Sequence, residues 1–293
     1  MKKTVIGFGE LLWDKHRNCE LIGGAPGNFT YHAMQCGLNG YVVSAVGMDT
    51  SGDRLLEEAK SHGLQCIVAR IGKPTSVVDI NEDDINNPQY TIHTDVAWDY
   101  IPFTKELENW AKKADAVCFG TLAQRSIKTR ETLQTFLALM KKDAWKIFDV
   151  NLRQQFYSRE MIKESLIRSD ILKLNEDEAK VLNEMFDYRL SDIVDVSRRL
   201  LADFHQKIVI LTCGGDCSYV FTPREESYMK TPQCEVVNVV GAGDSFTAAF
   251  CSCIMQGKSI RDAHALAVKV AAYVCTQDGA MPQWPDEIKA LFA

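Results

Sequence analysis

The sequence predicts an α/β protein in which helices flank a mostly parallel β-sheet, giving three layers. Short apolar runs recur along the chain, and several are apolar at consecutive positions, as in strands that are buried on both faces. Helical patterns separate these runs in regular order, and this alternation is typical of a parallel sheet covered by helices. The length of 293 residues suits one large α/β domain spanning residues 1–293.

The expected strands are apolar runs of four to six residues. They lie at residues 4–8, 41–46, 116–119, 146–149, 171–174 and 207–212. The expected helices carry amphipathic or alanine-rich patterns and dominate the chain after residue 240. They lie at residues 29–36, 52–62, 129–142, 176–186, 191–204, 245–255 and 260–275.

Residues 75–101 interrupt the alternation of strand and helix. Two β-like segments, 76–80 and 89–94, flank an acidic turn at 81–88, and no helical pattern separates them. We expect a hairpin here, joined by residues near 11–22. A small β element inserted in an α/β domain often serves as a lid, although a solvated edge hairpin without function fits the same pattern.

Charge and hydropathy exclude several classes of function. Lys and Arg number 33 against 39 Asp and Glu, and this net charge of −6 argues against general nucleic-acid binding. Apolar runs are too short for a membrane span, and the N-terminus lacks the apolar core of a signal peptide. The 10 cysteines are therefore expected to be reduced residues of a cytoplasmic protein, and their spacing does not fit zinc.

The strongest functional feature is a glycine turn between a β-branched run and a helix. Gly241, Ala242 and Gly243 form the turn, and Asp244 falls in the first helical turn. Main-chain amides at a helix N-terminus form an anion site. Asp244 is a candidate for chemistry, or it caps the helix as many such Asp residues do. The turn is neither a Walker A loop nor a Rossmann fingerprint.

A second glycine pair precedes the first helix. Gly23 and Gly24 lead into Asn28, which either caps that helix or reaches a ligand. Taken alone, this is an ordinary glycine loop.

Together the two glycine segments, about 210 residues apart, resemble the signatures of the pfkB family of carbohydrate kinases, which has the ribokinase-like fold. Segment 9–14, ending at Asp14, looks like the opening strand of that family. Asn175 and Glu178 are similar to its Asn-x-x-Glu motif, and Thr212 begins a turn similar to its Thr-x-Gly. Segments 23–26, 119–123 and 149–153 look most like fructokinases.

The resemblance implies ATP-dependent phosphorylation of a sugar primary hydroxyl, with D-fructose to fructose 6-phosphate as the expected reaction. Asp244 would be the general base, and the amides of Gly241, Ala242 and Gly243 would stabilise the transferring phosphoryl group. Glu178 would help hold Mg²⁺ through water. The remaining implied contacts are with sugar, for Asp14, Gly23, Gly24 and Asn28, and with the nucleotide, for Asn175, Thr212, Gly214 and Gly215.

Several points stay open in the sequence. Arg153 either contacts phosphate or substrate or forms a surface ion pair, and a homodimer through the lid is possible within the family. Asn238 stands where relatives have an acidic residue, which puts activation by a monovalent cation in doubt. Cys217 replaces a usual glycine and is strained if that position needs a positive φ. His32 and His264 are expected to be packed or exposed rather than catalytic.

Other activities compete with fructose phosphorylation. Kinases of this type also act on 2-keto-3-deoxygluconate, ribose and nucleosides, and a non-catalytic sugar-binding regulator on the same fold is a further alternative. A dinucleotide-dependent oxidoreductase is disfavoured, because no third glycine and helix follow Gly7 and Gly9.

Overall fold

In the computed structural model, which describes residues 2–81 and 89–292, two β-sheets and the helices around them form the fold. The strands are β1 (Thr4–Phe8), β2 (Leu12–Lys15), β3 (Glu20–Gly23), β4 (Asn39–Gly47), β5 (Gln65–Ile71), β6 (Val77–Asn81), β7 (Gln89–Ile92), β8 (Ala116–Phe119), β9 (Trp145–Asp149), β10 (Ile171–Asn175), β11 (Ile208–Cys213), β12 (Cys217–Phe221) and β13 (Glu226–Lys230). The helices are α1 (Ala25–Gln35), α2 (Thr50–Ser61), α3 (Lys105–Lys113), α4 (Ile127–Leu139), α5 (Arg159–Arg168), α6 (Glu176–Met185), α7 (Ile193–Asp203), α8 (Ala242–Met255), α9 (Ile260–Cys275) and α10 (Asp286–Lys289).

The large sheet has nine strands in the order β13-β12-β11-β10-β9-β8-β1-β4-β5. Every neighbouring pair from β11 to β5 is parallel. The hairpin of β12 and β13 closes one edge with antiparallel pairs. The carboxyl ends of seven parallel strands therefore lie along one rim, where ligands bind in open α/β sheets.

Helices cover both faces of this sheet, because its strands are apolar at consecutive positions. On β1, Val5 packs in a cluster with Phe250 of α8, whereas Ile6 packs in the opposite cluster with Phe136 of α4. All of these side chains are buried. The three-layer α/β class predicted from the sequence is thus confirmed, with a helical layer on each side.

The small sheet has the order β3-β2-β6-β7 and joins residues from both predicted lid segments. β2 pairs with β3 in antiparallel register and with β6 in parallel register. The acidic turn expected at 81–88 lies, for residues 82–88, outside the described residues.

Most predicted elements are present with bounds shifted by a few residues. The apolar and helical patterns did not predict β5, α3, α5, α10 or the β12–β13 hairpin, so the sheet is wider than predicted. Five of the ten cysteines are buried, while Cys19, Cys66 and Cys234 are exposed. Within the described ranges, no helix is long and apolar enough to cross a membrane.

Candidate active site

The glycine turn begins α8 at the rim of the large sheet. Gly241 is the residue before the helix and has φ +79°, a left-handed conformation that favours glycine. A Cβ at this position would lie 2.7 Å from the main-chain oxygen of Ala280. Gly241 therefore serves the shape of the turn, since both its conformation and its neighbour exclude a side chain.

Two of the first three amides of α8 are available to an anion. The Ala242 amide donates to the main-chain oxygen of Val239 at 3.3 Å. For the amides of Gly243 and Asp244, the described residues supply no main-chain acceptor. Of the three amides expected to stabilise a phosphoryl group, Ala242 thus has a partner within the turn, while those of Gly241 and Gly243 have no main-chain acceptor among the described residues.

Asp244 does not cap its own helix, which corrects one of the two readings of this residue. Among the described residues, the Asp244 carboxylate accepts no hydrogen bond from the first amides of α8, and the residue before the helix is Gly241. Instead, Asn28 Nδ2 donates to Asp244 Oδ2 at 2.8 Å. Burial raises the pKa of Asp244, and the Asn28 hydrogen bond, Lys173 and Arg153 oppose that rise. A raised pKa makes the carboxylate a better proton acceptor, as a general base requires.

Asn28 connects α1 to α8. It lies inside α1 rather than at its cap, because the residue before the helix is Gly24, with φ +111°. The side chain is buried, and its Oδ1 has no hydrogen-bond partner in the described part of the chain. A buried acceptor without a partner is costly, so Oδ1 is a candidate to meet a ligand hydroxyl.

Asp14 and the glycine pair meet where the two sheets join. Asp14 lies on β2, and a Cβ on Gly23 of the paired strand β3 would lie 2.1 Å from Asp14 Oδ2. A Cβ on Gly24 would lie 2.4 Å from the main-chain oxygen of Glu10. Gly23 thus leaves room for the carboxylate, whose pKa burial raises to about 6.

Arg153 lies near the carboxyl groups of Glu10, Asp14 and Asp244 but makes no ion pair with them. Its exposed guanidinium donates to the main-chain oxygen of its neighbour Leu152 at 3.0 Å. Its charge nevertheless opposes the raised pKa values of Glu10, Asp14 and Asp244. The surface ion pair considered from the sequence is therefore not what the described residues form.

Two cavities are lined by residues at the start of α8. A small pocket touches the ends of β8 and β9 and includes Asp149, Asn151 and Asp244. A larger cavity of about 390 Å³ is lined by Ala242 and Gly243. Asp244 and the two residues before it therefore line different cavities.

The larger cavity is lined by both polar and apolar residues. The residues expected to contact nucleotide, Asn175, Thr212, Gly214 and Gly215, line it together with Lys173. Its apolar lining includes Val236, Val239, Phe246, Val268, Ala271 and Ala272. Apolar walls with a few polar groups are typical of small-molecule and cofactor sites.

The turn that begins at Thr212 shows no backbone strain at Cys217, the residue that replaces a usual glycine. Gly214 has a positive φ of +49°, whereas Cys217 begins β12 and is not among the residues with positive φ. The backbone strain that a positive φ would cause at Cys217 is therefore absent. Asn238 Oδ1 accepts a hydrogen bond from the amide of Val240 at 2.9 Å, so its side chain supports the turn before α8.

Asn175 and Glu178 form a capping box at the start of α6. Asn175 Oδ1 accepts from the Glu178 amide, and Glu178 Oε2 accepts from the Asn175 amide, both at 2.8 Å. Glu178 Oε1 accepts from the Leu152 amide at 3.0 Å. Because a carboxylate offers about four acceptor positions, Glu178 keeps capacity for a water molecule, which fits an indirect role toward Mg²⁺.

Sequence reasoning missed a buried charged pair beside these residues. Lys173 Nζ lies 3.2 Å from Asp149 Oδ1, and both side chains are buried. Burial opposes the charge on Lys173, but Asp149, Glu178 and Asp244 outweigh it and raise its pKa. One signal was available: Lys173 interrupts the apolar run Ile171–Asn175, whose other members up to Leu174 are apolar.

Both helical histidines belong to the core, as expected for packed residues. His32 Nε2 lies 2.9 Å from the main-chain oxygen of Ala280, and Trp284 Nε1 donates to His32 Nδ1 at 3.1 Å. Burial lowers the pKa of His32 to about 4. His264 lies between two serine hydroxyls, those of Ser218 and Ser227.

Comparison with known proteins agrees with this geometry. The family model of pfkB carbohydrate kinases matches residues 4–287, so the chain belongs to that family and is a sugar kinase. It is 28% identical over 280 residues to an ATP-dependent 6-phosphofructokinase of Thermoanaerobacterium thermosaccharolyticum, covering 92% of this chain and 84% of that protein. It is 26% identical to a 5-dehydro-2-deoxygluconokinase of Bacillus cereus, covering 90% and 82%.

Solved structures share the fold. A fructokinase of Xylella fastidiosa with bound ATP matches at a TM-score of 0.86 and 19% identity, covering 99% of this chain and 98% of that chain. A 2-dehydro-3-deoxygluconokinase of Thermotoga maritima matches at 0.82 and 17% identity, covering 100% and 98%. The matched enzymes differ in substrate while the architecture stays the same, so the fold does not select the sugar.

Proposed function

We propose that this kinase transfers the γ-phosphoryl group of ATP to the terminal primary hydroxyl of D-fructose, giving fructose 6-phosphate. The observation that carries the proposal is that consecutive residues at the start of α8 line two cavities. Asp244 lines the small pocket, while Ala242 and Gly243 line the cavity of about 390 Å³. An acceptor hydroxyl next to Asp244 and a nucleotide in the larger cavity would therefore meet at the start of α8.

The chemistry needs a base, an aligned acceptor and compensation of charge on the phosphoryl group. Asn28 binds Asp244 Oδ2, so we assign acceptance of the hydroxyl proton to Asp244 Oδ1. The free amides of Gly243 and Asp244 would face the phosphoryl oxygens. Glu178 and Asn175 would hold Mg²⁺ through water, and the metal would supply charge compensation at the phosphates.

We propose sugar contacts at the junction of the two sheets. Asp14 and the unpartnered Oδ1 of Asn28 are acceptors for the hydroxyls of a neutral ketohexose. The small sheet carries Asp14, so its movement over the rim would bind the sugar and exclude water from ATP. A homodimer through this sheet stays a prediction.

A specific observation supports sugar acids as a second candidate. Arg153 is exposed near Asp14, and within the described residues its guanidinium donates a hydrogen bond to the main-chain oxygen of Leu152. A guanidinium in this position suits a substrate carboxylate. The similarity to a 5-dehydro-2-deoxygluconokinase, whose name indicates a sugar acid as substrate, supports the same class of acceptor.

An ATP-coupled assay over an acceptor panel tests the proposal. The panel contains D-fructose, D-ribose, 2-keto-3-deoxygluconate, 5-dehydro-2-deoxygluconate and fructose 6-phosphate at equal concentrations, with product regiochemistry determined by ³¹P NMR. We expect the highest kcat/KM for D-fructose. A higher kcat/KM for a sugar acid that Arg153→Ala abolishes would replace fructose by the acid, and a preference for fructose 6-phosphate would also overturn the proposal.

A further inference from the structure

The turn that carries Gly214 and Gly215 has a cysteine on each side. Cys213 is the last residue of β11 and Cys217 is the first residue of β12, so three residues separate them. Both are free thiols in this structure. The proposed phosphoryl transfer gives neither thiol a role, although Cys217 stands where a glycine is usual in the family.

The two cysteines lie directly opposite each other in the hairpin of β11 and β12. The antiparallel register pairs Cys213 with Cys217, and the Asp216 amide donates to the main-chain oxygen of Cys213 at 3.0 Å. Opposed residues in antiparallel strands have Cα atoms about 4.5–5.5 Å apart. A disulfide needs a Cα separation of about 4.4–6.8 Å. A bond between the two sulfur atoms therefore requires no new pairing of the strands.

Both thiols pack toward the helical layer formed by α6 and α7. Cys213 belongs to the buried cluster that contains Leu182 of α6 and Leu200 of α7, and Cys217 packs against that cluster. Phe246, which lines the larger cavity, belongs to the cluster on the opposite face of the sheet. Since the thiols pack on the other face from Phe246, a small oxidant does not have to enter the nucleotide cavity.

The surroundings of the two thiols indicate which one reacts first. Burial and the neighbouring Cys217 thiol raise the pKa of Cys213 to about 12. Because the thiolate is the attacking species, Cys213 is a poor first nucleophile. Cys217 is only half-buried, so it is the thiol that an oxidant reaches. Once its sulfur is bound to another sulfur, Cys217 no longer raises the pKa of Cys213, which favours the second attack.

We propose that Cys213 and Cys217 are a redox modification site, and that the reversible disulfide between them weakens nucleotide binding through the turn that they flank. With glutathione disulfide as the oxidant, the Cys217 thiolate attacks one sulfur and releases the first glutathione thiolate. Cys213 then attacks the Cys217 sulfur of this mixed disulfide and releases the second. Two protein thiols are oxidised, one glutathione disulfide is reduced, and the two glutathione thiolates take up the two protons.

The shape of the turn couples the disulfide to the nucleotide. Thr212, Gly214 and Gly215 line the cavity of about 390 Å³, and Gly214 has φ +49°. Opposed side chains have Cβ atoms about 4.5–5.5 Å apart, whereas a disulfide holds its Cβ atoms about 3.8 Å apart. Oxidation thus draws the ends of the turn together by roughly 1 Å and displaces the two glycines, so nucleotide should prefer the reduced protein. The inference rests on the nucleotide site of the proposed function, not on the choice of sugar.

Peptide mapping tests whether the disulfide forms. Trypsin releases both cysteines in one peptide, residues 208–224, which contains no other cysteine. The protein is equilibrated with reduced or oxidised glutathione, alkylated, digested and analysed by mass spectrometry. With oxidised glutathione, we expect a peptide that lacks both alkyl groups and two hydrogens until dithiothreitol is added. A peptide that is alkylated at both cysteines, or that keeps glutathione, would overturn the proposal.

Isothermal titration calorimetry with Mg²⁺ and no sugar tests the effect on nucleotide. We expect the Kd of ATP to be about fivefold or more higher for the oxidised protein, and dithiothreitol should restore the lower value. Cys217→Ser should have the same Kd in both buffers. Cys66→Ser, which removes an exposed thiol on β5, is the matched control and should respond as the parent does. An equal Kd for the two forms of the parent, or a loss of affinity that persists in Cys217→Ser, would overturn the proposal.

Reciprocity supplies a readout that does not depend on any variant. Mg²⁺ and ATP at concentrations that saturate both forms should lower the equilibrium fraction of disulfide by the same factor that separates the two Kd values. A disulfide fraction that ATP does not change would contradict the coupling. Failure of every panel sugar would refute the fructose proposal, yet these measurements contain no sugar and would still decide the role of the two cysteines. The two proposals therefore fail in distinguishable ways.

Discussion

Glu10 follows the end of β1 and provides a stability prediction whose size follows from its burial. The side chain is 3% exposed, and its Oε2 has no partner in the described residues. Burial raises the pKa of Glu10 from 4.5 to about 7, while Arg153 and Arg125 oppose the rise. The perturbation is Glu10→Gln, which keeps the shape of the side chain and removes its ionisation.

The sign follows from proton binding. Because the native state holds the Glu10 proton more tightly than the unfolded chain, native stability falls as pH rises from about 4.5 to about 7. A change of one in pKa corresponds to about 1.4 kcal/mol, so the ionised carboxylate destabilises the native state by about 3 kcal/mol above pH 7. Glu10→Gln should abolish this component.

Urea unfolding at pH 5, 6, 7 and 8 measures the effect. The difference in the free energy of unfolding between Glu10→Gln and the parent should shift by about 2.5 kcal/mol in favour of the variant over this range. Glu106→Gln, on the exposed side of α3, is the matched control for loss of a surface carboxylate. A difference for Glu10→Gln that stays constant with pH would refute the reasoning.

Three further predictions concern the site. Asp244→Asn should lower kcat about 10²- to 10⁴-fold without loss of folding, and in the parent the raised pKa of Asp244 should make kcat/KM fall with decreasing pH before an ordinary Asp would titrate; near-normal turnover of the folded variant contradicts its role as base. Gly241→Ala should lower the urea midpoint, because Gly241 has φ +79° and a Cβ would meet Ala280 at 2.7 Å; an unchanged midpoint contradicts this. Asp14→Ala should lower kcat/KM for sugar roughly tenfold or more while the KM for ATP stays constant; equal effects on both substrates count against a sugar contact.

The main sheet was predictable because burial on two faces is visible in sequence. Runs such as those of β1 and β11 are apolar at consecutive positions, and their bounds were found to within a residue. The β12–β13 hairpin was not predicted because its strands at the sheet edge mix exposed and buried residues. Glu226 and Tyr228 are exposed, whereas Ser218 and Ser227 are buried. Polar residues that face a core through hydrogen bonds do not give an apolar pattern.

The site was predictable only in part for a related reason. Asp244 and Asn28 belong to motifs, so the sequence identified them, but their mutual hydrogen bond depends on the packing of α1 against α8. Lys173, Asp149 and Glu10 are charged residues whose burial arises from elements distant in sequence. A single sequence does not reveal which charges lose contact with water.

The contact between His32 and Ala280 has a consequence for the order of events during synthesis. The two residues are 248 positions apart, and Asn28 and Asp244 are 216 apart. A ribosome adds about 5 to 20 residues each second, so the emerging α1 waits roughly ten seconds or longer before its partners exist. During that interval the nascent chain exposes the face of α1 that later packs against α8 and contacts Ala280.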